Sequence, residues 1–324
     1  SYHPLYRGVF GFAGHESVAE ALKTKNADLV LVVGSALDEV STSGWDTTAI
    51  LSERLIHVSR NPEHLTRSTM ARLVILGSPK LTLASIAGAL GVETGGGFVS
   101  TTEQHSQLPL QIRLDNRTAC ENVSGSIKPQ ALMTYMSRVC PSNARVLMDS
   151  GNSFLWGIHH WNIRRYEHQD PSKKYFHIGI GFSSMGWAIG ASVGVAAAVK
   201  NTPVICFTGD GSYLMAGQEI TTALQENLNL LMVVLNDSSL GMVRHGQGLS
   251  GGESIGNSLP DINFADMAKA MGIESYRVET MEELFSVNLH AILAKTGPCL
   301  LDVVVDRDEI PPMGSRMKVL TGSI

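Results

Sequence analysis

This sequence predicts an α/β protein of two doubly wound parallel-sheet domains, and three observations carry that prediction. Short, wholly apolar runs recur along it, among them Leu29-Val30-Leu31-Val32-Val33, Val204-Ile205-Cys206-Phe207 and Leu230-Leu231-Met232-Val233-Val234-Leu235. Each has the length and composition of a strand buried on both faces. Stretches with helical spacing alternate with these runs, as the crossovers of a parallel sheet require. Two of the strands also run straight into turns that carry an acid, Thr208-Gly209-Asp210-Gly211-Ser212 and Asn236-Asp237.

Taken in order, Glu16 to Thr24 reads as a helix leading into the buried strand Leu29–Val33, which ends at Gly34-Ser35. Leu55–Ser59 and Leu73–Leu76 repeat the strand pattern, and Pro79 to Leu90 is helical. The first domain is therefore placed at 1–92. Residues 93–126, with Gly95-Gly96-Gly97 and many polar side chains, read as a linker. The second domain, 127–324, opens on a helix with Pro129 in its first turn. Arg145–Met148 is a strand, and Asp149-Ser150-Gly151-Asn152-Ser153 is a glycine-containing turn into a helix toward Trp156, where backbone N–H groups can hold a phosphate.

Gly179 to Gly186 introduces a helix of small residues (Ala188, Gly190, Ala191, Gly194, Ala196, Ala197) able to press closely on a neighbour or simply to form core. A nicotinamide fingerprint fails here because Ser184 stands where the third glycine belongs. Val204–Phe207, a helix over Gly217–Glu226 and Leu230–Leu235 form one βαβ unit. From Arg244 to Leu259 a long loop is expected over the carboxyl edge of the sheet. Helices at Phe264–Met271 and Met281–Ala294 and a strand at Cys299–Val305 complete the domain.

Composition narrows the function classes. The chain of 324 residues is 44% hydrophobic and 17% charged, as a soluble protein with a large core is. A net charge of -5 without a basic run argues against nucleic acid and acidic membrane surfaces as partners. Cys120, Cys140, Cys206 and Cys299 have no metal-ligand spacing and read as reduced core thiols. Residues 1–15 lack the layout of a signal peptide and no apolar run is long enough to span a membrane, so the expectation is a cytoplasmic protein. The start at Ser1, without Met, points to a native N-terminus further upstream.

The chemistry concentrates at Asp210 and Asp237. Both follow parallel strands of one βαβ unit, which brings them to the same sheet edge. Two such carboxylates suit Mg²⁺, a hard octahedral ion usually completed by phosphate oxygens and water, and glycines beside Asp210 admit a phosphate close to the backbone. Alone, Gly209-Asp210-Gly211 is equally an ordinary turn. The 24 residues between Gly211 and Asn236, the strand before each end and the Leu240-Gly241-Met242-Val243 that follows favour the site. His159 and His160, one helical step apart, point in different directions and read as packing or surface residues.

With Gly-Asp-Gly, this spacer and Asn236-Asp237, the chain resembles the thiamine diphosphate (ThDP) enzymes, whose signature ends in Asn-Asn. Asp237 departs from it. The earlier half, through His3-Pro4-Leu5-Tyr6-Arg7-Gly8, Ala27–Gly34 and Asn61-Pro62, resembles the later part of the central domain of the acetohydroxyacid synthase and 2-keto acid decarboxylase group. The resemblance implies a partial central Rossmann-like domain followed by a ThDP pyrophosphate-binding domain, without the N-terminal pyrimidine-binding domain. It implies Asp210, Asp237 and the Ser239 carbonyl as Mg²⁺ ligands. Gly151, Asn152, Ser153, Gly209, Gly211, Ser212, Gly241 and Met242 lie at matching cofactor-binding positions, with Met185 wedged under the cofactor and Ser183 offering a carbonyl. Where flavin-containing relatives carry an Arg for FAD, this chain reads Ser35-Ala36-Leu37-Asp38, so FAD is not expected. Gly246 stands where synthases have a pocket-shaping Trp.

The activating Glu of the family has no counterpart here; Glu219 and Glu226 read as surface or packing residues. The implied function is 2-keto acid decarboxylation followed by acetolactate synthase-like carboligation, a transferase or lyase activity absent from this chain alone. A non-carboligating decarboxylase and a catalytically incomplete binding or assembly module stay open. The expected partners are the missing domain or a partner subunit, within a homodimer or homotetramer.

Overall fold

The computed structural model of the chain describes residues 5–91, 114, 117–121, 125–162 and 175–314. Of the segment read as a linker, 93–113, 115–116 and 122–124 lie outside the described residues, and so do Val92, His3 and Pro4. Two compact units emerge, Ser1–Asp115 with Gly314–Ile324, and Asn116–Met313.

In the first unit α1 (Glu16–Leu22) leads to β1 (Val30–Val33), β2 (Leu55–Ser59), α2 (Pro62–Leu65), β3 (Leu73–Leu76) and α3 (Pro79–Ala89). The strands form a parallel sheet in the order β1-β2-β3. Val30, Leu37, Ile50, Leu51 and Leu55 make its core. Asn61 starts α2 by accepting from Glu63 N (3.0 Å), with Pro62 preset for the first turn. The Arg54 guanidinium donates to the carbonyls of Leu22, Ala27, Thr48 and Ala49, which ties the segment before β1 to the segment before β2. The expectation of fully buried strands fails at β1 and β3. As edge strands each has one neighbour; Leu29 and Leu31 stay exposed at β1, and Leu73, Val74 and Leu76 at β3.

The second unit begins with α4 (Arg117–Glu121), a helical turn inside the stretch read as linker. It continues through α5 (Pro129–Val139), β4 (Arg145–Met148), α6 (Asn152–His160), β5 (Phe176–Ile178), α7 (Trp187–Ala198) and β6 (Val204–Gly209). Then come α8 (Asp210–Ala216), a 3-10 turn (Gly217–Glu219), α9 (Ile220–Gln225), β7 (Leu230–Asn236) and α10 (Gly241–Leu249). Last are α11 (Phe264–Ala270), β8 (Glu274–Val278), α12 (Met281–Ser286), α13 (Leu289–Ala294) and β9 (Pro298–Val304). All six strands are parallel, in the order β5-β4-β6-β7-β9-β8. The apolar runs of β4, β6, β7 and β9 are buried nearly throughout because helices cover both faces. After β4 the chain steps one way to β5 and then returns to place β6 on the other side. In such sheets the crevice for ligands opens at that reversal, at the strands' carboxyl ends.

Five local expectations change. The helix after β6 starts at Asp210 itself and breaks at Ala216 (φ -141°), where Gly217 lies against the Tyr213 ring; a Cβ on it would come within 2.6 Å. Residues 244–249 are helical, so the loop is shorter than expected. The helix expected over 281–294 is two, separated by extended Val287, with Asn288 capping the second through Ala291 N (3.1 Å). In α7 Ala188, Ile189, Ser192 and Ala196 are buried, whereas Gly190 and Gly194 face open space. β5 and β8 are added: β5 is three residues long, and β8 is an edge strand whose exposed Glu274 and Tyr276 break the apolar pattern.

His159 and His160 are both buried, their rings 4.7 Å apart, so packing is their role and the surface alternative falls. Among the described residues no helix is long and apolar enough to cross a membrane.

Candidate functional site

Because β6 and β7 are paired in parallel, the turns that leave them are adjacent. Asp210 bridges the two. Its Oδ1 accepts from Gly211 N (2.7 Å) and its Oδ2 from Ser239 N (3.2 Å), and the N–H groups of Asp237 and Ser238 also stabilise its charge. Ser238 adopts a left-handed φ of 51°, which folds that turn over the carboxylate. Asp237 meets Gly241 at the start of α10: a Cβ there would fall 2.5 Å from Asp237 Oδ2 and 2.6 Å from Asn152 Nδ2. Asn236, by contrast, turns into the fold, donating to Ile262 O and to buried Asp302.

Burial pushes the Asp210 carboxyl up to about 6, partly offset by the backbone N–H groups around it. Burial, then the neighbouring Asp210 charge, pushes Asp237 to about 7, against the pull of Arg307 and Arg244. Two carboxylates held this close are a site short of positive charge at neutral pH. A divalent cation would restore both charges and release protons.

On the β4 side, Gly151 has φ 105° and ψ -156°, a conformation that excludes a side chain. It lets α6 begin at Asn152 directly after the turn. Fully buried Asp149 accepts from Gly186 N (2.9 Å), Ala188 N (3.1 Å) and Thr208 Oγ1 (2.9 Å). One carboxylate thereby joins β4, β6 and the start of α7, and fixes Met185 just before Gly186. Met185 reaches Gly211, where an added Cβ would lie 3.3 Å from its Cε and 2.6 Å from Leu240 Cδ2. Ser183 is left-handed (φ 60°), its hydroxyl 3.4 Å from that of Ser150.

Gly151, Asn152, Ser153, Met185, Gly209, Asp210, Gly211, Ser212, Asp237, Ser239, Gly241 and Met242 all line one pocket at the sheet's carboxyl edge. Ser183 does not, although it touches the lining residue Ser150. The cavity measures about 160 Å³. That is below the ~300–1,000 Å³ of a pocket that encloses a drug-sized ligand, and it suits one end of such a molecule. Glu219 and Glu226 are exposed and away from it. The residues 250–259 return to it: Leu240 N donates to Asn257 O (2.7 Å) and Leu259 N to Ser238 O (2.9 Å).

Sequence reasoning missed Asp149, His245 and the Asp306/Glu309 rim. A buried acid at the end of a strand was the available signal for Asp149. Asp306 and Glu309 line the pocket but are engaged, both by Lys128 Nζ and Glu309 also by Gln130 Nε2. Trp156, another lining residue, stands in the α6 helix that the turn opens.

These residues fit a magnesium diphosphate. Besides two carboxylates, the lining holds two buried oxygens without a protein partner, Asn152 Oδ1 and Ser239 Oγ, and such groups are costly unless something pairs with them. The first turns of α6 and α10 add the positive ends of two helix dipoles.

Comparison with known proteins places this architecture. Residues 1–86 match the central domain of thiamine pyrophosphate enzymes, and residues 149–303 match their C-terminal TPP binding domain. The acetolactate synthase large subunit of Haemophilus influenzae is 29% identical over 98% of this chain and 54% of its own length. Isozyme 3 large subunit from Escherichia coli is also 29% identical, over 98% of this chain and 55% of its own. The mitochondrial acetolactate synthase catalytic subunit of Saccharomyces cerevisiae is 26% identical over 90% and 43%. The chain thus spans about half the length of the curated relatives it matches. With the two family domains matched in order along it, and the second lying over the strands that build the pocket, this chain belongs to the thiamine pyrophosphate enzymes.

Proposed function

We propose that this chain binds the diphosphate end of ThDP through Mg²⁺ and forms part of an enzyme that decarboxylates a 2-keto acid and joins the remaining fragment to a second carbonyl, as acetolactate synthases do. The observation that carries the reading is the pairing of Asp210 with Asp237 in a pocket that also holds the unpartnered oxygens of Asn152 and Ser239. Relatives named as acetolactate synthases support carboligation over simple decarboxylation.

In this reading Asp210, Asp237 and the Ser239 carbonyl hold the metal. Gly151, Gly209, Gly211 and Gly241 keep the surrounding backbone free of side chains, while Asn152, Ser153, Ser212 and Met242 line the cofactor. Met185 supports it from below, and Ser183 offers its carbonyl. When bound, ThDP supplies the electron sink that lets a 2-keto acid lose carbon dioxide. Asp306 and Glu309, the other acids of the lining, are already tied to Lys128, so we assign the activating carboxyl group to another domain or subunit. A two-subunit site and a soluble, cytoplasmic setting belong to the same proposal.

Calorimetry of the purified chain with ThDP is the test. Saturable binding that needs Mg²⁺ and is lost in Asp210→Asn supports the reading. Binding that survives chelation of the metal, or that ignores Asp210→Asn, overturns it. Decarboxylation of a 2-keto acid by this chain with ThDP and Mg²⁺ but no further domain or subunit would sink the assignment of the activating carboxyl elsewhere.

A further inference from the structure

Asn152 is joined to α10 by one contact with a definite direction. Its Nδ2 lies 3.2 Å from His245 Nδ1, and His245 Nε2 lies 3.0 Å from the Arg307 carbonyl oxygen. A backbone carbonyl can only accept, so Nε2 carries the ring's proton. In the neutral ring Nδ1 is then a bare lone pair, and only the NH₂ end of the Asn152 amide can face it. The opposite orientation would set two acceptors against each other. Burial moves the His245 pKa below the ordinary histidine value, which keeps the ring neutral around pH 7. The Arg307 carbonyl is itself fixed, since it also accepts from Arg244 Nη1. The chain of bonds ends at Asn152 Oδ1, buried and without a protein partner, on a residue that lines the pocket.

We propose that His245 is a positioning residue that sets the polarity of the pocket, holding Asn152 so that its free end is a fixed acceptor. Asn152 then meets a hydrogen-bond donor or a cation, of which a metal-bound water is the simplest kind, and not an oxygen of the anionic diphosphate. This deepens the magnesium-diphosphate reading and rests on it. His245 is 93 positions from Asn152 in sequence.

The experiment uses the full chain with ¹⁵N-labelled histidine, together with His245→Asn and His245→Leu. Asparagine places an acceptor oxygen where Nδ1 stands, whereas leucine places none. Before any ligand is added, the imidazole ¹⁵N shifts of wild type should report the Nε2–H tautomer with Nδ1 unprotonated. Titrated with ThDP and Mg²⁺, His245→Asn should bind within about twofold of wild type, and His245→Leu about tenfold more weakly, equal to ~1.4 kcal/mol. An Nδ1–H ring overturns the proposal. So do two variants that bind alike, whether both as wild type or both weakened. If wild type shows the expected tautomer yet no Mg²⁺-dependent binding, the diphosphate reading fails and takes the assignment of the ligand with it, while the direction of the His245–Asn152 bond stands.

Discussion

Replacing Asp237 by Asn tests the electrostatics on which the site depends. In the metal-free chain the Asp237 pKa stands near 7 against a reference of 3.8. A raised carboxyl pKa means that the native state holds the proton more tightly than the unfolded chain. The associated stability is present below the unfolded value and is lost as pH rises through the folded one. At pH 8 the ionised, buried Asp237 therefore costs up to about 4 kcal/mol, three pKa units at ~1.36 kcal/mol each. At pH 5.5, where the native group is mostly protonated, about 2 kcal/mol of that remains. Asn is isosteric and uncharged, so Asp237→Asn should stabilise the metal-free protein, and by ~2 kcal/mol more at pH 8 than at pH 5.5. For a unit of this size that is roughly 4–8 °C of extra shift in Tm. Thermal unfolding followed by tryptophan fluorescence suits the measurement, because Trp156, Trp161 and Trp187 all lie in the second unit. Excess Mg²⁺ should narrow the gap by favouring the carboxylate. A shift in Tm that is the same at both pH values, with the metal chelated, would show that Asp237 is not strained by burial beside Asp210, and the reasoning would fail.

Three further substitutions probe the scaffold around that pair. Gly241→Ala pushes a methyl group into Asp237 Oδ2 and Asn152 Nδ2 at 2.5–2.6 Å, so Mg²⁺-dependent ThDP binding should drop at least tenfold while circular dichroism stays that of wild type. Gly151→Ala places a side chain at φ 105° and should lower stability by about 1–3 kcal/mol in denaturant unfolding, with weaker ThDP binding because the start of α6 shifts. Asp149→Asn sets an NH₂ group against one of three donors, Gly186 N, Ala188 N or Thr208 Oγ1; a loss of about 3 kcal/mol or more is expected, with Met185 released. Unchanged stability in Asp149→Asn would mean that the three bonds do not hold α7 in place.

What the sequence made legible was whatever is local to one strand and the turn after it. Gly209-Asp210-Gly211 and Asn236-Asp237 could be set at one sheet edge because the strands of a βαβ unit run parallel, and in the fold β6 and β7 pair directly, so the two turns are adjacent. The onset of α8 at Asp210 was not readable. Two glycines and an aspartate there have poor helix propensity, and the helix forms because Tyr213 packs into the core beneath it. β8 escaped notice because an edge strand alternates polar and apolar residues. Asp149 and His245 were hidden for a different reason. Each acts on groups 37 to 93 positions away, brought to it by the order of the strands and not by spacing along the chain.

The departure from Asn at position 237 also asks how the fold tolerates a second acid beside a site for an anion. Part of the answer lies across the pocket, in the segment that follows β9. Arg244 projects from α10 and is held there by Asp308 (2.6 Å) and by the carbonyl of Arg307. Both guanidinium groups act on Asp237 to lower its pKa, although burial and Asp210 outweigh them. The extra negative charge is therefore answered from two directions, by arginines on the solvent side and by the dipoles of α6 and α10 on the protein side. Both sources raise the potential at Asp237, but neither guanidinium lines the pocket, so neither stands where a metal ion would. In the proposed reading a divalent cation satisfies Asp210, Asp237 and a diphosphate together, which favours metal-assisted anion binding over a carboxylate acting as a general base.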